Sequence, residues 1–233
     1  MKRLPLIGVF LAVAVSADAQ QLTADEILMR VEKGLEGIDD YTVQLEAIVD
    51  MERLQVPSMK ATMYFKAPDK IHFESESFAM LPREGLALSP ADLRKNFRGE
   101  YMGKDSVEGQ PSEVIRVSPL KEESRRRSMT IWVDPERWVI TRLRTQPFEG
   151  RRLLADFSYV RVDGRFWLPE TLVVSFETLT PASDEGVPVP EPPATTRRRR
   201  APLRQGSITV MYSHYEVNSG IADDVFNEQK ERP

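Results

Sequence analysis

The side chains that could do covalent or metal chemistry are few. The 233 residues include two histidines, His72 and His214, and no cysteine. Missing thiols exclude cysteine nucleophiles, thiolate zinc sites, iron–sulfur clusters and disulfides. His72, Glu74 and Glu76 fall at i, i+2 and i+4, which places them on one face of a strand. Neighbours in that row stand ~7 Å apart, too far to converge on one ion unaided. They read as a solvated face. His214, between Ser213 and Tyr215, has no carboxylate pattern near it and reads as structural. Asp134 and Glu136 flank Pro135, where carboxylates form turns. No nucleophile elbow, phosphate loop or zinc-protease helix motif occurs. The expectation is of no catalytic residue, no metal and no cofactor: a binding protein rather than an enzyme.

The remaining distinctive side chains are apolar. Met51, Met59, Met63, Met129 and Met211 fall in predicted strands, and the first three share one apolar register. Methionine is unbranched and polarizable, so it adapts to ligands of variable shape. Two readings follow: a cavity wall for a flexible chain, or a dry core packed by a helix. Arg142 and Arg144 share one face with Trp138 and Ile140 at period-two spacing; turned inward they would meet phosphate or carboxylate head groups, turned outward they would be solubilising charges, and an outward or rim position is expected.

These residues must be positioned by strands. Leu22-Thr23-Ala24-Asp25-Glu26-Ile27 opens a helix, with Thr23 and Glu26 as capping box and Leu22 and Ile27 as hydrophobic staple. Ile27, Leu28, Val31, Leu35 and Ile38 give it one apolar face. The period then becomes two: Val43, Leu45, Ala47, Val49 and Met51, then Met59, Ala61, Met63 and Phe65, then Ile71 and Phe73. Residues 78–99 break the rhythm, and Ser89-Pro90 starts a short helix with Ser89 as cap. Hairpins follow, turning at 108–111, 134–137 and 163–165, and residues 207–217 form a last long strand. Residues 223–228 make a terminal helical turn that docks Phe226. About ten antiparallel strands behind one helix favour a barrel, open or closed.

Composition sets the compartment and the partners. Thirty-two basic residues against thirty-six acidic ones give a net charge of −4, which argues against nucleic acid. A hydrophobic share of 41% suffices for a core. Met1-Lys2-Arg3, an apolar run of about 12 residues against the ~20 that span a bilayer, and Ala17-Asp18-Ala19 read as a cleaved signal peptide over residues 1–19. No cysteine follows it, so the mature protein is expected in the periplasm without a lipid anchor. Residues 20–233 are expected to form one domain. Within it, residues 180–206 are rich in proline and end on Arg197, Arg198, Arg199 and Arg200. They read as a disordered loop, either a docking arm for anionic head groups or a partner, or a lengthened hairpin loop with solvated charges.

Four motifs recur in order. Residues 101–111 carry Gly103, Val107, Gly109 and Pro111; then come Ile131-Trp132-Val133-Asp134-Pro135, Trp167-Leu168-Pro169 and Val217-Asn218-Ser219-Gly220-Ile221-Ala222-Asp223 ahead of Phe226. The set resembles LolA-like outer-membrane lipoprotein-sorting proteins. The resemblance implies a mainly β (α+β) fold. An open antiparallel half-barrel of about ten strands would wrap an N-terminal helix and a short helical lid. It implies an apolar cavity, with candidate lining residues Val43, Leu45, Val49, Met51, Met63, Phe65, Phe73, Met129, Ile131 and Ile140. Ile27, Val31, Leu35, Leu86 and Leu93 would form the lid. Acyl chains of a lipoprotein or lipid would be the ligand, and an inner-membrane transporter or outer-membrane acceptor the partner of a monomer. Relatives that sense lipid and regulate envelope stress leave a second role open, a lipid-sensing module acting through protein contacts. The pattern departs at Lys66-Ala67-Pro68, where the family reads basic-Arg-Pro and that Arg helps to close the cavity; here Ala67 holds the position.

Overall fold

The computed structural model describes residues 22–51, 54–75, 89–121, 127–145, 151–178 and 206–227. The expected signal peptide, Leu86, and Arg197, Arg198, Arg199 and Arg200 lie outside the described residues. In chain order the elements begin with α1 (Ala24–Lys33), β1 (Asp40–Met51), β2 (Leu54–Gln55), β3 (Met59–Lys66) and β4 (Lys70–Glu74). Then come α2 (Pro90–Asn96), β5 (Phe97–Val107), β6 (Gln110–Pro119), β7 (Met129–Asp134) and β8 (Val139–Thr145). β9 (Arg151–Val162), β10 (Phe166–Thr178), β11 (Gly206–Val217) and a 3-10 turn (Asp223–Phe226) complete the described chain.

Ten strands form one antiparallel path in the order β4-β3-β1-β11-β10-β9-β8-β7-β6-β5, and β2 pairs with β1 off that path. The end strands β4 and β5 do not pair with each other among the described residues, so the sheet is open. It follows the expected mainly β half-barrel with two helices.

The expected helix start is present. Thr23 Oγ1 accepts from the Glu26 backbone N–H, and Glu26 Oε2 accepts from the Thr23 N–H at 2.8 Å. Ser89 caps α2, with Pro90 at its first position. Arg94 of α2 ties the helices together by reaching Asp25 and Glu32 of α1. Helix α1 buries Ala24, Ile27, Leu28 and Val31, and with Leu93 they cover β6–β8 through Ile115, Val117, Ile131, Val133 and Ile140. A second core lies over β1, β3, β10 and β11, where Val43, Leu45, Met63, Leu168, Leu172 and Val210 are almost fully buried.

Bulges change two faces that alternation alone would fix. The β7–β8 register shifts between Trp132 and Val133, which pair with Arg142 and Ile140. The extra residue, Thr141, lets Ile140 and Leu143 both point inward. This corrects the expectation that Arg142 and Arg144 share a face with Ile140. Arg142 instead pairs with Asp156, and Arg144 lies 5.0 Å over the Trp132 ring, whose indole N–H donates to Asp105. A bulge in β11 opposite Thr42 and Gln44 places exposed His214 at φ 54. Next to it, Tyr215 packs edge-on to Tyr41 at 5.7 Å and donates to the Pro169 carbonyl at 2.6 Å.

The final motif is a latch. Asn218 adopts φ 58, accepts from the Asp39 N–H at 2.8 Å and donates to the Gly37 carbonyl. The Asp40 carboxylate, only 3% exposed, accepts from the backbone N–H groups of Ser219, Gly220 and Ile221 and from the Ser219 hydroxyl. Buried carboxylates need such donors. Lys66 donates to the Ile221 carbonyl and pairs with Asp223, whose carboxyl these contacts with Lys66 and Lys70 hold below its usual range.

Candidate ligand cavity

A cavity of about 450 Å³ opens between the helices and the sheet. Its wall draws on β3 and β4 (Met63, Phe65, Ile71) and equally on β8 to β11 (Ile140, Phe157, Tyr159, Leu168, Tyr212). β4 and β8 are six places apart in the sheet order, so one cavity can touch both only because the sheet curls. The third side comes from Val31 and Leu35 at the end of α1 and from Ser89, Pro90 and Ala91 at the start of α2. The Ser89 hydroxyl reaches the Pro68 carbonyl at 3.5 Å, joining α2 to the β3–β4 turn.

Local sequence explains the wall. The period-two run of β3 buries Met59, Ala61, Met63 and Phe65 on one face. Phe65 stacks on Tyr41 with ring centroids 4.9 Å apart. The turn after β7 is built by Asp134, which accepts from the N–H groups of Glu136 and Arg137 and from the Arg137 guanidinium at 2.7 Å. Burial would raise the Asp134 carboxyl, but the hydrogen bonds from Arg137 and Glu136 outweigh it, so its pKa is lowered. The same turn holds Trp138 at φ 53, facing the cavity, with the Arg30 guanidinium 4.6 Å over its ring. Trp167 carries Arg137 at 5.3 Å and Arg161 at 5.9 Å. Exposed Glu36, Gly37, Ala67, Pro68 and Arg165 form the rim, whereas Tyr41, Met63, Ile140 and Leu168 are buried.

The tyrosine hydroxyls on the wall are neutral. Burial pushes the hydroxyl pKa values of Tyr41, Tyr159 and Tyr212 well upward, so they remain protonated donors rather than phenolates. Tyr159 donates to the Ile140 carbonyl at 2.7 Å. Among the described residues, no group of three or more Asp, Glu or His could hold a metal, and no helix is long and apolar enough to cross a membrane.

The sequence-derived candidates fall into three places. Met63, Phe65 and Ile140 line this cavity, as do Val31 and Leu35. Val43, Leu45 and Ile131 are buried in the two cores and are not lining residues; Ile27 and Leu93 pack between helix and sheet. Val49 and Phe73 pack half-buried on the first core, and Met129 touches both. Met51 ends β1, paired with Gly206, and its side chain lies outside the described residues. Alternation misses Tyr41, Trp138, Tyr159, Arg165 and Trp167. They enter from strand starts, bulges and turns, where the period-two signal fails; aromatic character is the available cue for the four other than Arg165.

An open antiparallel sheet curled around an apolar cavity, with two helices closing it, defines a class: the chain has the LolA-like fold over most of its length. A LolA superfamily protein from Nitrosomonas europaea is similar at 10% identity and a TM-score of 0.53, over 88% of this chain and 98% of that one. An outer membrane lipoprotein-sorting protein domain from Vibrio parahaemolyticus is similar at 13% identity and a TM-score of 0.54, over 88% and 96%. A DUF1329 family protein from Desulfovibrio piger reaches a TM-score of 0.59 at 14% identity, over 87% and 95%. No family model and no curated protein matches the sequence itself.

Proposed function

We propose that the protein is a non-catalytic periplasmic carrier that binds acyl chains of a lipid or lipoprotein in this cavity for transfer toward the outer membrane. The observation that carries the reading is the cavity of about 450 Å³ walled by aromatic, aliphatic and methionine side chains from both halves of the sheet. The fold shared with a lipoprotein-sorting domain supports it. So do the charged start, apolar run and Ala-x-Ala of residues 1–19. A dozen buried methylenes would contribute roughly 10 kcal/mol at ~0.8 each. Lost freedom offsets about 4 kcal/mol or more of this, leaving an affinity on the order of tens of micromolar from the chain alone. Such binding is tight enough to extract a chain and weak enough to release it.

Native mass spectrometry of full-length protein purified from a bacterial envelope tests the reading. Bound species with acyl masses are expected, released on mild activation. A clean apo mass, with no uptake on incubation with envelope lipid extract, would contradict it.

A further inference from the structure

The size of the cavity and the charges at its rim together restrict the ligand. A methylene takes about the volume of a water molecule, ~30 Å³, so about 450 Å³ holds roughly fifteen such groups. That is one long acyl chain, not two or three. At the rim, Arg165 has no carboxylate partner among the described residues. Its Nη2 donates to the Glu36 carbonyl at 3.3 Å, and its guanidinium lies 4.7 Å over the Phe166 ring. The other arginine on the wall, Arg137, is neutralised by Asp134. Arg165 is pressed against Gly37, where an added Cβ would stand 2.6 Å from Nη2. The Tyr41 hydroxyl, on a residue 9% exposed, has no hydrogen-bond partner among the described residues and belongs to the cavity wall. The lining thus offers one cation with no carboxylate partner among the described residues and one neutral hydroxyl donor, with Glu32 and Glu36 also on the wall and rim. A cation with donors in a planar fork suits carboxylate and phosphate oxygens.

We infer that the cavity takes a single-chain anionic amphiphile, one acyl chain inside and its acidic head at Arg165, with Tyr41 donating to an oxygen of the head. The inference rests on the acyl-binding reading and narrows it to one chain per protein. A free fatty acid and a monoacyl phospholipid share this chemistry.

The test is calorimetric titration of the full mature chain with palmitate, lysophosphatidylglycerol, hexadecanol, dipalmitoyl phosphatidylglycerol and a tripalmitoylated lipopeptide. One-to-one binding of palmitate or lysophosphatidylglycerol, with two- and three-chain ligands at least tenfold weaker, is expected, and the tighter of the two names the source. Binding of the two- or three-chain ligands as tightly as the single-chain ones would overturn the inference and leave the carrier reading standing. No binding by any ligand would remove both. Arg165→Ala should weaken palmitate roughly tenfold, the loss of one charged hydrogen-bond set, and leave hexadecanol unchanged. Equal loss for both, or for neither, would remove the head-group assignment. Tyr41→Phe should weaken the anionic ligands by several-fold; unchanged affinity would remove Tyr41 from the site.

Discussion

Ile140 and Ile131 distinguish an empty cavity from a dry core. Both are almost fully buried and belong to one apolar cluster, at 4% and 0% exposure. Only Ile140 lines the cavity. Replacing Ile by Phe adds three side-chain carbons. At Ile131 they have no space to enter, and overpacking costs typically 1–3 kcal/mol. At Ile140 they can project into about 450 Å³ of free volume. New apolar contact there offsets the rotamer cost, so the expected change runs from zero to a gain of about 2 kcal/mol. Urea denaturation of apo protein reads both variants against the parent, through midpoint shifts at unchanged slope. Ile140→Phe should also lower the capacity for a sixteen-carbon chain while retaining shorter ones. Equal destabilisation by the two variants would refute the cavity as an open space and restore the dry core.

Three further outcomes follow from the packing. An added Cβ at Gly99 would meet the Ala24 Cβ at 2.6 Å; Gly99→Ala should cost about 1–3 kcal/mol. Ala24→Gly in the same chain should recover part of that loss in the urea midpoint. Asp40→Ala leaves three backbone donors of the final turn unpaired, so stability should fall by about 2–4 kcal/mol. Hydrogen exchange should show opening of residues 218–227 first. The Asp134 pKa is lowered on folding, so its stabilisation is full above the ordinary aspartate range and fades as pH falls through the folded value. The stability gap between parent and Asp134→Asn should therefore be wide at pH 7 and shrink below pH 4; a gap independent of pH would refute that balance.

Much of the fold was legible because its signals are local. Thr23 and Glu26 announced α1, Ser89-Pro90 announced α2, and strict alternation in β1 and β3 marked their buried faces. The turn motifs were legible too, since Asp134 and Asn218 do turn chemistry with backbone partners close by or at the neighbouring strand's start. The site was less legible. A cavity is set by which distant strands curl together, and no period encodes that. Val43 and Leu45 carry the same alternation signal as Met63 and Phe65, yet only the latter pair lines the cavity. Bulges at Thr141 and His214 each add one residue, and one residue is enough to turn a side chain to the opposite face. That is why Arg142 moved away from Ile140, and why Tyr215 came to pack on Tyr41. Arg165 sits in a polar turn with no sequence signal of its own, and only the folded chain sets it beside Gly37 at the rim.

In the proposed carrier, an acyl chain occupies the space beside Met63. Met63 is 1% exposed on the cavity wall, and Met211 is 37% exposed on another strand's outer face. The most direct measurement is NMR of methyl-labelled methionine protein with ¹³C-palmitate, read by intermolecular nuclear Overhauser effects. Cross-peaks are expected from chain methylenes to the Met63 methyl and none to that of Met211. Contacts to Met211 alone, or a Met63 methyl that never senses the chain under saturating ligand, would contradict it.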